Sequence, residues 1–121
     1  MRFYLCEICG NVIELLYGEP THIKCCDQHM TLLEPNTVDA SVEKHVPFYK
    51  VDGNKVTVQI GEDLHPMDND HYIMWIAIVK NNKITRINLK PHEKPIVTFN
   101  YEKGSTVYSY CNKHRLWRTE I

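Results

Sequence analysis

The sequence predicts an all-β protein in two parts, a small metal-held module followed by an immunoglobulin-like β-sandwich. Three observations carry this. Beyond residue 37, short apolar-rich runs recur between Gly, Asn, Asp and Pro, as strands recur between turns. No segment sustains the 3.6-residue period of a helix. Four of the five cysteines fall in the first 26 residues, in a stretch of about 35 that could not hold a core without a metal or disulfides.

The elements follow in order. Residues 3–6 and 12–16 read as short strands around the turn Cys9-Gly10-Asn11, and Gly18-Glu19-Pro20 marks a second turn. Glu34-Pro35-Asn36 reads as a linker, because Pro and Asn break strand pairing, so one domain is expected over 1–36 and another over 37–121. Strands are expected at 38–42, 55–60, 72–79, 83–89, 96–101 and 106–110. Val56, Val58 and Ile60 alternate with Thr57 and Gln59, as in a half-buried strand. The run 72–79 is apolar on both faces and suits a central strand, and Asn81-Asn82 after it signals a hairpin.

Composition narrows the function. The 121 residues carry 14 basic and 15 acidic side chains, a formal net charge of -1, so no basic excess points to nucleic acid or an anionic membrane. The longest apolar run, 72–79, is too short to span a bilayer, and the N-terminus has no apolar stretch of signal-peptide length. A cytoplasmic protein is expected. Thiols stay reduced there, so clustered cysteines read as metal ligands, and an odd number of them suits a disulfide framework poorly.

Cys6-x-x-Cys9 places two thiolates on one ion, and Gly10 permits the tight turn that such a knuckle needs. Cys25 and Cys26 are unusual in being neighbours. They must splay to reach the same ion, which widens one sulfur–metal–sulfur angle. Four thiolates accept zinc or a single iron, and the ligands alone leave both open.

The second part mixes one thiol with imidazoles. Cys111-Asn112-Lys113-His114 puts a thiolate and an imidazole close enough to share an ion. His65-Pro66-Met67-Asp68-Asn69-Asp70-His71 is a polar loop opening into the apolar run, and His45 stands in Glu43-Lys44-His45-Val46-Pro47 at the end of an expected strand. Taken singly, loop histidines are mostly solvated and a lone buried cysteine is usually a small core residue. Together they indicate a mixed site. His92 reads as part of a surface turn; His22 and His29 receive no ligand role.

On these residues the sequence resembles the desulfoferrodoxin family, two-iron superoxide reductases, over essentially its whole length. Residues 1–36 are similar to the rubredoxin/desulforedoxin-like module, with Cys6, Cys9, Cys25 and Cys26 at its four ligands. Residues 37–121 are similar to the neelaredoxin-type catalytic domain through Glu43 to Pro47, His65-Pro66-Met67, His71 to Ile76, Leu89 to Pro95, and Cys111 to His114. The resemblance implies iron at both sites. It implies His45, His65, His71 and His114 in a plane around a ferrous ion, Cys111 as axial ligand, and the opposite position left for substrate. It also implies a homodimer and a rubredoxin-like electron donor. The chain departs from the family at Arg115, where glycine is usual; if that position needs positive φ, arginine is strained there.

The implied reaction is one-electron reduction of superoxide to hydrogen peroxide. Lys44 is the candidate to attract the anion and support protonation, since an ammonium on a flexible stem acts as a point charge. Glu43 matches the family carboxylate that fills the sixth position in the resting ferric state. Elsewhere such a pair is simply a solvated Glu-Lys on a loop. Lys113 and Arg115 would add to the local positive field. Two other functions stay open: a di-iron electron-transfer protein without superoxide chemistry, and a zinc-stabilised binding module.

Overall fold

The computed structural model describes residues 1–121. The chain divides into two units, Met1–Glu34 and Pro35–Ile121.

In the N-terminal unit, β1 (Phe3–Leu5) lies between β2 (Val12–Glu14) and β5 (Thr31–Leu32) in an antiparallel sheet. A second hairpin joins β3 (Lys24–Cys25) to β4 (Gln28–His29). Phe3, Tyr4, Leu5, Cys6 and Leu33 form the whole buried apolar set. So small a core supports little stability alone.

The C-terminal unit is the expected sandwich. One sheet has the order β10-β7-β6, from Ile96–Asn100, Lys55–Ile60 and Pro47–Asp52. The other has the order β12-β11-β8-β9, from Arg115–Glu120, Thr106–Cys111, Ile73–Lys80 and Lys83–Asn88. All pairings are antiparallel. The alternation in β7 buries Val56, Val58 and Ile60, which meet Ile73, Ile76 and Ile78 of β8, with Phe99, Val107 and Cys111. Asn81-Asn82 does form the β8–β9 turn, with Asn81 at φ 54°.

One expected strand is absent and two strands were not foreseen, each for a physical reason. Residues 38–42 are not a strand: they run through bends into a short helix, α1 (Val42–His45), which Val46 closes by donating its N–H to Val42 O at 3.0 Å. Strand β6 was hidden because it is an edge strand whose only buried residue is Pro47, at a first position that needs no ladder N–H. Strand β12 was hidden by its polar edge-strand composition, Arg-Leu-Trp-Arg-Thr-Glu. The expected linker, 34–36, lies outside the strands, with Pro35 and Asn36 in a turn. Asn36 extends the β12 edge, accepting from Arg118 N–H at 2.8 Å and donating to Arg118 O at 3.1 Å through its side-chain amide.

One irregularity matters for the site. Tyr110 pairs with Trp75 but Cys111 pairs with Ile73, so Met74 is an extra residue, a β-bulge in β8. Upstream of it, Ile73 turns into the core beside Cys111.

Candidate metal centres

In the N-terminal unit two turns supply four sulfurs. Gly10, at φ +81°, donates its N–H to Cys6 O at 2.9 Å and closes the first turn, as the spacing predicted. Cys26 and Asp27 have φ values of 52° and 61° between the paired residues Cys25 and Gln28. Two successive positive φ values in a two-residue hairpin are the pattern of a type I′ turn. That turn is how adjacent cysteines splay: Cys25 ends a strand and Cys26 starts the reversal.

The sulfurs of Cys6, Cys9, Cys25 and Cys26 all lie within 4.8 Å of one another. Cys9 and Cys25 are 3.6 Å apart and the adjacent pair 4.0 Å. Ligands about 2.3 Å from a tetrahedral ion stand about 3.8 Å apart, so the spacing fits one. Protonation tells the same story. The N–H of Cys9 draws the Cys6 thiol down to about 6, while hydrogen bonding first to Cys9, then to Cys6 and Cys25, pushes Cys26 up to about 12. Four sulfurs this close hold some of their protons until a cation displaces them. Cys9 and Cys26 are exposed.

The second group forms at one end of the sandwich because the register brings strand ends together. The start of β6 pairs with the end of β7, Pro47 to Ile60, so His45 and His65 flank one sheet edge. The end of β11 pairs with the starts of β8 and β12, which gathers His71, Cys111 and His114. One donor atom from each of these five residues lies within 4.8 Å of the others.

The four rings make a square. Centroids going round it are 4.6 Å apart for His45–His65, 4.8 Å for His65–His71, 5.1 Å for His71–His114 and 4.7 Å for His114–His45, with the His45–His71 diagonal at 6.5 Å. His45 Nε2 stands 3.1 Å from His65 Nε2 and 2.9 Å from His114 Nδ1. Neighbouring ligands at right angles about an ion, with bonds of about 2.1 Å, are about 3.0 Å apart.

The ring hydrogen bonds point the same way. His45 Nδ1 donates to Ser41 O and His65 Nδ1 to Pro66 O, each at 2.7 Å. Carbonyls only accept, so both Nδ1 atoms carry hydrogen and both Nε2 lone pairs face each other. Burial keeps these rings neutral: it lowers His45, and it takes His65 from 6.5 to about 4. His71 Nε2 is buried with no hydrogen-bond partner, and burial lowers that ring as well. A cation reconciles lone pairs held this way. Burial raises the Cys111 thiol, opposed by the N–H groups of Lys113 and His114.

Glu43 and Lys44 are exposed on α1, directly before the buried His45. The Glu43 carboxyl is held below its usual range, first by its own backbone N–H. Lys113 faces Asp70 at 3.8 Å, so its positive field is partly offset. Arg115 has φ +67°, so this position is left-handed and the arginine is strained. His92 is an exposed turn residue, bonded to Asn69 Oδ1 at 3.1 Å; His22 and His29 stand outside both donor groups.

Two supporting residues escaped the sequence reading. Asn112 clamps the chain around His71: its Oδ1 accepts from Tyr72 N–H and its Nδ2 donates to Asp70 O, both at 2.9 Å. Its place between Cys111 and His114 was the available signal. Gly61, at φ +83°, packs so closely on α1 that a Cβ there would come within 2.7 Å of the Lys44 backbone. No motif flags it, since the close approach is tertiary.

An all-sulfur centre on a small β module, and a four-imidazole, one-thiol centre on a β-sandwich, together define a two-centre metalloprotein. The desulfoferrodoxin family model matches residues 37–120 and the desulfoferrodoxin N-terminal domain model residues 1–33. The chain is 42% identical to the desulfoferrodoxin of Desulfarculus baarsii and 41% identical to that of Syntrophotalea carbinolica, in each case over 99% of this chain and 96% of the relative. Its structure is similar to the superoxide reductase from Treponema pallidum, with a TM-score of 0.74 and 28% identity over 97% of this chain and 96% of that one. The chain belongs to the desulfoferrodoxin family. It is an oxidoreductase with two iron ions as its cofactors. No helix is long and apolar enough to cross a membrane.

Proposed function

We propose that this protein reduces superoxide to hydrogen peroxide at the sandwich centre, with His45, His65, His71, His114 and Cys111 as the iron ligands. The observation that carries this is the square of neutral imidazoles with a buried thiol beside it. Five donors leave a six-coordinate ion one position, which a protein made only to shuttle electrons has no need of. A ferrous ion in that group supplies the single electron and a place for the substrate to bind.

The chain does the rest. The carbonyls of Ser41 and Pro66 keep two rings neutral and aimed inward. The Cys111 thiolate donates electron density from inside the core. Lys44 draws in the anion and, through water, supports delivery of the two protons that peroxide requires. Glu43, whose carboxyl is held below its usual range, would be the carboxylate available to the sandwich iron at rest. Cys6, Cys9, Cys25 and Cys26 would hold the other iron with four thiolates, which suits electron relay and stabilising its unit. A rubredoxin-like donor, a homodimeric state and the reducing cytoplasm complete the proposal; five unpaired thiols suit that compartment.

Mixing the reduced protein with a pulse of superoxide tests it. Peroxide should form without dioxygen while the second iron oxidises. Release of dioxygen, or a reduced spectrum that does not change, would overturn it. In Cys111→Ser the thiolate-to-ferric charge-transfer band should vanish. A colourless protein containing zinc would favour a binding module instead.

A further inference from the structure

Trp117 heads the fully buried side chains of this protein, at 2% exposure, and it touches two donor residues at once. Its indole lies along the ring of His45, centroids 5.0 Å apart and planes 28° from parallel. Its Nε1–H donates to the carbonyl oxygen of His114 at 2.9 Å. His45 and His114 are adjacent corners of the square. They come from segments far apart in sequence, one from α1 and one from the β11–β12 turn.

Each of the two has a freedom that its own segment does not remove. The Nδ1–H bond to Ser41 O anchors one atom of His45 but leaves the ring free to swing about that anchor. A broad flat surface beside the ring stops the swing. His114 sits in a turn that closes on Arg115 at φ +67°, a conformation costly for any side chain with a Cβ. The Trp117 N–H holds the carbonyl just before that strained residue. The register supports this placement. Trp117 pairs with Ser109, two pairs in from Cys111–Arg115, on the rigid part of the hairpin.

We propose that Trp117 is a positioning residue of the sandwich metal centre: its indole face sets the plane of His45 and its N–H fixes His114, so the two donors keep one relative orientation. This rests on the metal reading of the five-donor group and not on the superoxide reaction.

The test uses the full-length iron-loaded protein with two variants, Trp117→Phe and Trp117→Leu. Phenylalanine keeps a flat face but has no N–H; leucine removes both. Two measurements are made on each: the rate at which a ferrous chelator extracts the second iron, and the rhombicity of the ferric electron paramagnetic resonance signal. Trp117→Phe should keep the wild-type rhombicity while releasing iron about 2- to 10-fold faster, the value of one hydrogen bond. Trp117→Leu should change the rhombicity and release iron about 10- to 100-fold faster, the range for lost support of a ligand. The visible bands of the four-cysteine iron should not move in either variant.

Wild-type release and rhombicity in both variants would overturn the proposal, and so would an equal change of rhombicity in both. If Trp117→Leu does not fold, Trp117→Phe decides: release at the wild-type rate, or altered rhombicity, overturns the proposal. A wild-type protein that binds no second iron would instead overturn the metal reading itself, a separate result.

Discussion

The two donor groups are built in opposite ways. In the N-terminal unit, four sulfurs hang on two local turns, two of the cysteines are exposed, and the buried apolar set is five residues from Phe3 to Leu33. In the C-terminal unit, five donors come from a short helix, loops and strand ends beside both sheets, and a cluster of nine buried residues packs in the core. The first site holds its fold together; the second is held by its fold. A protein can therefore lose the second metal and keep the scaffold, whereas losing the first should cost it the unit.

The largest effect should come from breaking that asymmetry directly. Replacing Cys6 and Cys9 by Ala should remove on the order of 10 kcal/mol of metal-coupled folding energy. Limited proteolysis should then digest residues 1–34 and spare the sandwich, and equal sensitivity of both units would contradict the contrast. Next is Gly61→Ala. Its Cβ would meet Asp63 O and the Lys44 backbone, and φ +83° is already unfavourable to alanine. A loss of about 3 kcal/mol is expected, read as a lower thermal midpoint for the sandwich with the four-cysteine bands unchanged.

Acid should separate the two sites further. His65 is neutral in the folded chain down to about 4 but takes a proton near 6.5 when unfolded. A histidine whose folded pKa is lowered contributes stability above its unfolded value, and that contribution falls away as pH drops toward the folded value. Metal-free protein should therefore lose sandwich stability from pH 6.5 down to about 4, with a slope of up to about 1.4 kcal/mol per pH unit for each such ring. A denaturant midpoint that stays flat through this window would refute it.

Smaller effects concern charge and strain. Lys44→Ala should slow the reaction with superoxide several-fold and flatten its dependence on ionic strength, leaving both irons bound. A rate and salt slope equal to wild type would remove Lys44 from the mechanism. Arg115→Gly should raise sandwich stability by about 1 kcal/mol by relieving the left-handed backbone; calorimetry showing a decrease would mean that the arginine's interactions outweigh its strain.

The same contrast explains what could be read in advance. Cys6-x-x-Cys9 and Cys25-Cys26 carry their geometry within a few residues, so spacing alone announced a metal. Val56, Val58 and Ile60 announced a strand because one sheet face is buried. His45, His65, His71, Cys111 and His114 are joined only by the register of two sheets, and it was their family pattern that tied them together. The 38–42 error has the same root: a helix of four residues has no period to detect, and tertiary bonds such as Asp63 N–H to Glu43 O hold that segment. Trp117, Asn112 and Gly61 act through contacts that no local pattern contains.

The extra residue at Met74 has a consequence of its own. Reading β8 backward from Ile78, even-numbered side chains face inward as far as Ile76, and then the parity flips so that Ile73 does. His71 lies in the bend that precedes β8, two residues before Ile73, and its donor atom stands near that of Cys111. Threaded without the flip, β8 would present Met74 to that end of the core in place of Ile73. The apolar residue beside Cys111 is thus placed by arithmetic, a frame shift within a strand that decides which letter of the sequence is read into the core.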